Sequence, residues 1–88
     1  MPYIKKEMRA DWDKIVEEVV AKLNKTDEEH KEGNLNYFIT RILKKAYKPS
    51  YFAYNRIIGL LECIKQEFYR RDIASYEDIK IKENGDVN

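Results

Sequence analysis

Apolar residues recur every three or four positions in three separate segments, and no apolar run exceeds the five residues 57–61. That pattern is too short for a bilayer span and has the period of helices with one greasy face. In the first segment Met8, Trp12, Ile15, Val16, Val19, Val20 and Leu23 share a stripe, with Asp11, Asp13, Lys14, Glu17, Glu18 and Lys22 between them. The spacing predicts a helix over about 6–24. Leu35, Phe38, Ile39, Ile42, Leu43 and Ala46 predict a second helix, with Asn34 as its N-cap and Pro49 as its stop. Ser50 is placed to cap a third and longest helix, running to about 71–72. Its main stripe is Ala53, Ile57, Leu60, Leu61, Ile64 and Phe68, flanked by Tyr54. Ile57, Leu61, Ile64 and Phe68 are expected to be core.

Between the first two helices, Lys25–Glu32 has no large apolar residue and reads as a loop or a frayed extension of the first helix. Thr26 and Glu29 have capping-box spacing there, with no apolar run behind them. Past Tyr76 the period changes to two, at Ile79 and Ile81, and Asn84-Gly85 is a strong hairpin signal. The fold class expected is all-α: a three-helix domain with a long central third helix and an extended C-terminal tail. A short hairpin, to which Tyr3-Ile4 could add a strand, is a further expectation. With 88 residues, 1–88 reads as one small domain with a modest core. Eleven aromatic residues argue against disorder even at 38% charged residues.

Several function classes drop out. One Cys and one His make neither a disulfide framework nor a zinc-finger ligand set. Glycines 33, 59 and 85 are too scattered for a phosphate loop. His30 lies in an acidic loop, and Cys63 has the helix setting of a small packed residue. Adjacent carboxylates such as Glu17/Glu18 and Glu77/Asp78 lack a pocket-forming pattern that would split their pKa values. No catalytic, metal or cofactor residue is therefore predicted, and the chain is not expected to be an enzyme. A site shared across a dimer would escape that argument. The first ten residues lack the apolar run of a secretory signal, and the single thiol suits a reducing compartment, so a cytoplasmic location without membrane contact is expected.

Two surfaces stand out. On the third helix a second stripe combines Tyr51, Asn55, Ile58, Glu62, Lys65, Gln66 and Tyr69. It reads either as a polar seam between helices or as a face for a protein partner or a second copy in a homodimer. Glu62, if covered, needs Lys65, Arg41 or a tyrosine hydroxyl. Gly59, beside that face, costs about 1 kcal/mol against Ala in a helix, which predicts close approach by another element. The Tyr51–Tyr69 face is expected to be covered, by the C-terminal tail or by a second chain. The second surface is electrostatic. Residues 34–71 carry eight basic and two acidic residues, net +6, between arms of −2 and −3. Arg41, Lys44, Lys45, Lys48, Arg70 and Arg71 form the candidate basic patch. It reads as neutralised internally by the acidic arms, or as a nucleic-acid contact with Tyr37 or Tyr47 stacking a base. A non-enzymatic interaction or accessory module is the favoured function, and a nucleic-acid-binding accessory protein is the alternative.

Five blocks carry a family resemblance: MPYI at the start, GNLNYFIT (33–40), PSYFAYN (49–55), IGLLECIKQEFYRR (58–71) and YEDIKIKENGDV (76–87). In this order they resemble a family of small uncharacterised proteins found in phage and microbial genomes. The resemblance implies a domain of unknown function, and it carries over no site residue.

Overall fold

A computed structural model describes residues 3–88. The described residues are helical through most of their length and contain no strand. The all-α expectation holds. The chain divides into two units, Tyr3–Ala53 and Tyr54–Asn88.

The first unit begins with a 3-10 turn, Lys6–Met8, and then α1, Ala10–Asn24. Arg9 precedes α1 and has no side-chain cap. Its Nε and Nη2 instead donate to the Ile4 carbonyl at 3.1 and 3.0 Å, tying the preceding segment to the helix start. At the other end the Thr26 backbone N–H donates to the Leu23 carbonyl, and the Thr26 hydroxyl to that of Lys22. Thr26 thus satisfies carbonyls at the end of α1 and opens no new helix, against its capping-box spacing. The expected loop is shorter than its composition suggested. Glu28–His30 forms a 3-10 turn, and α2 runs from Lys31 to Ala46. Asn34 is inside α2 and is not its cap. Helix formers such as Lys and Glu, with a Lys31–Glu28 pair at 3.5 Å, extend the helix backward through Gly33. Tyr47 is extended (φ −121°, ψ 133°), as expected shortly before Pro49.

Ser50 caps α3 (Tyr51–Phe68): its Oγ accepts the Ala53 backbone N–H at 3.0 Å. Beyond α3 comes a single π turn, Tyr69–Ile73, and then α4, Ala74–Asn84. The helical backbone is unbroken from Tyr51 to Asn84. Counting that run as one, the described residues hold three long helices.

The expected extended tail and hairpin are not what forms: 74–84 is helical. A strand needs a neighbour for its backbone groups, whereas a helix satisfies them itself. Lys80 supports the helix by meeting Glu83 at 3.0 Å and lying 5.6 Å from the Tyr76 ring centre. The Asn84-Gly85 signal is used differently. Gly85 takes φ +86° and donates its N–H to the Ile81 carbonyl, ending α4. Hairpin turns and helix ends both call on glycine at positive φ, so the dipeptide alone does not distinguish them. Tyr3-Ile4 is not a strand, and Met1 and Pro2 lie outside the described residues.

Ala53, 7% exposed, is the one buried residue among those described. The expected core does not form. Leu61 is 37%, Ile64 55% and Phe68 59% exposed. The reason is local. Within Tyr54–Asn88 the chain continues as helix after α3, and no element turns back to lie over the stripe.

Candidate interaction surfaces

The mixed face of α3 is built by helical repetition, since residues three, four or seven apart share a side. Asn55, Ile58, Glu62, Lys65, Gln66 and Tyr69 accordingly fall along one side of the second unit, with Tyr51 at the start of α3 in the first. Its polar groups are satisfied within the same helical run. Gln66 Nε2 donates to Glu62 Oε2 at 2.8 Å, and Lys65 Nζ lies 3.3 Å from the same oxygen. These contacts stabilise the carboxylate and hold Glu62 below its ordinary pKa, with Gln66 the larger influence. Of the three partners expected for Glu62, Lys65 is the one found.

The Tyr69 hydroxyl donates to Glu77 Oε1 at 3.0 Å, across eight residues. In a regular α-helix residues i and i+8 are about 80° apart around the axis. The π turn between them has more residues per turn and brings the two into line. Hydrogen bonding to the carboxylate, and then its charge, raises the Tyr69 pKa.

Two expectations for this face are corrected. The tail, one of the two covers expected, does not lie over the part of the face in the second unit: Ile58 is 66% and Tyr69 50% exposed, because α4 prolongs the helical run. Nor does anything approach Gly59; a Cβ built there meets no atom within 4 Å.

The basic patch separates into two parts. Arg41, Lys44 and Lys45 lie on α2, with Lys48 just past its end, all in the first unit. These four make no ion pair among the described residues. Arg70 and Arg71 sit in the π turn of the second unit and are tied to Glu67. Arg70 Nη2 donates to both Glu67 oxygens, at 3.0 and 2.8 Å, and Arg71 Nε lies 3.8 Å from Oε2. Arg70 and Arg71 are thus matched locally, each by Glu67 of the same helical run.

A feature with no clear signal in the sequence is a cleft of about 520 Å³ between α1 and α2. Val19, Leu23 and Phe38 give it an apolar lining, and Lys22, Lys25 and Tyr37 contribute polar groups. Helical periodicity placed Val19, Leu23 and Phe38 on inward stripes. It could not show that the pair of helices leaves space between them.

His30 makes exposed contacts with Asp27 (3.9 Å) and Glu29 (3.6 Å), and Cys63 is exposed. The described residues contain no cluster of three metal-ligating side chains and no helix long and apolar enough to cross a membrane.

The sequence profile of DUF6899, a domain of unknown function, matches residues 1–87. The chain belongs to the DUF6899 family. No curated protein and no solved structure matches it. Membership in DUF6899 agrees with the domain of unknown function that the five sequence blocks imply, and the family description assigns no activity.

Proposed function

We propose that this DUF6899 chain is a non-enzymatic protein-interaction module whose amphipathic helices are completed by a protein partner. One observation carries the reading: α1, α2 and α3 each have an apolar stripe, yet large side chains on all three stripes remain exposed. Trp12, Ile15 and Val16 on α1, Phe38 and Ile42 on α2, and Leu61, Ile64 and Phe68 on α3 are examples. Apolar surface on this scale marks sites of association. The exposed thiol of Cys63 suits a reducing, cytoplasmic setting, and the sequence resemblance supports a phage or microbial origin.

Amide hydrogen exchange on the purified chain, with mass measured on the same sample, tests the reading. A monomer should exchange rapidly along α3, and protection should rise only with association. A monomer protected throughout α3 that unfolds cooperatively would overturn it.

A second reading has its own observation. Arg41, Lys44, Lys45 and Lys48 form a cationic strip without carboxylate partners among the described residues, near the exposed Tyr37. That combination suits phosphate contacts with a base stacked on the ring. Retention on single-stranded DNA at 50 mM salt tests it, and absence of binding there ends it.

A further inference from the structure

We infer that the partner is a second copy of this chain, docked antiparallel along the α3 seam formed by Tyr54, Ile57, Leu61, Ile64 and Phe68. The inference rests on the interaction-module reading and names its partner. All five residues lie in the second unit, on one continuous helix.

Their spacing is three, four, three, four, the repeat that keeps a seam facing a second helix. Tyr54, Leu61, Ile64 and Phe68 are exposed, and nothing within the unit lies over them. The order of side-chain types is the same in both directions: aromatic, Ile, Leu, Ile, aromatic. A two-fold axis near Leu61 therefore sets Ile57 of each copy near Ile64 of the other, and Tyr54 near Phe68. A two-fold interface must be complementary to itself, and this seam is. An unrelated partner would impose no such symmetry.

Charge selects the direction. Residues 72–88 hold Lys80 and Lys82 against Asp72, Glu77, Asp78, Glu83 and Asp86, which is 2 − 5 = −3. Parallel docking would bring two such ends together, whereas antiparallel docking holds them apart. The mixed face beside the seam has no comparable need of cover, since Glu62, Lys65 and Gln66 already meet one another.

Helix stability supplies the last argument. The seam helix contains Gly59, Ile57, Ile58, Ile64 and several aromatics, all weaker helix formers than Ala or Leu. Most helical stability in proteins comes from packing an amphipathic face.

Sedimentation equilibrium of the full chain from 1 to 200 µM should show twice the 10.6 kDa chain mass at the upper end. Leu61→Ala should weaken dimerisation at least tenfold, while Ile58→Ser on the neighbouring face should change it less than threefold. A nitroxide reports direction without disturbing the seam. Two labels at Cys63 should lie close to the axis. Labels at Tyr51→Cys, in a Cys63→Ser background, should be about 30 Å apart along it, from 1.5 Å rise per residue. Equal distances at the two sites would mean parallel docking and overturn the proposal. So would a monomer at every concentration. If that monomer exchanges rapidly along α3, the second copy is ruled out and the interaction-module reading stands. If it is protected along α3 and cooperative, both fall.

Discussion

Three side chains do local work that substitution can isolate. Ser50 supplies an acceptor to the first turn of α3, so Ser50→Ala should cost about 1 kcal/mol in urea unfolding. Ser50 was legible because a hydroxyl just after Pro49 and just before an apolar period has few other uses. Glu62 and Tyr69 give the molecule its pH response. The Glu62 pKa is lowered in the helix, so its contribution is present above the carboxylate range and lost as pH falls through it. The Tyr69 pKa is raised, so its contribution is complete below the ordinary tyrosine range and lost as pH rises through the folded value. Circular dichroism against pH should therefore show an acid limb that Glu62→Gln reduces and an alkaline limb that Tyr69→Phe reduces. An unchanged limb in either variant would show that its bond is absent in solution. Lys65 could be named as a Glu62 partner because it is three residues on. Glu77 could not be named for Tyr69, since the pairing depends on a π turn that no residue type announces.

Within elements, the glycines separate packing from backbone effects. Gly59 has open space around its missing Cβ, so Gly59→Ala should stabilise α3 by about 0.5–1 kcal/mol. A loss of stability would place another element against it. Gly85 holds φ +86°, where an L side chain is strained, so Gly85→Ala should destabilise the end of α4 by roughly 1–2 kcal/mol. Thermal unfolding of the two variants should give shifts of opposite sign. Helix stops were readable where a residue forbids continuation, as Pro49 does. The start of α2 was not, because Lys31 to Gly33 tolerate several conformations and the helix simply extends through them. The tail was misread for a related reason. Two isoleucines at period two and an Asn-Gly pair are compatible with strand and helix alike, and the choice depends on whether a neighbouring strand exists.

For the whole molecule, association and charge are the measurable properties. If stability is shared between two copies, the melting temperature should rise with concentration between 5 and 200 µM, whereas a self-sufficient monomer would melt at one temperature throughout. The α2 cations offer an independent test. If they bind phosphates, Lys44→Gln with Lys45→Gln should lower the salt slope of nucleic-acid binding by nearly two units, from about 0.9 per phosphate contact. An unchanged slope would assign binding to other residues.

The amino-acid sequence alone determined the three amphipathic helices, the stop at Pro49, the cap at Ser50 and the uneven charge along the chain. Each follows from interactions a few residues long: a 3.6-residue period, a proline ring, a hydroxyl within reach of an N–H. The tertiary structure decided which apolar stripes are covered, whether Gly59 meets a neighbour, how α1 and α2 leave a cleft, and whether the last residues form strand or helix. Those outcomes depend on what stands opposite a surface. A local pattern can show that Leu61 and Phe68 share a face, but not what meets it, because burial is a property of two surfaces and the pattern describes one.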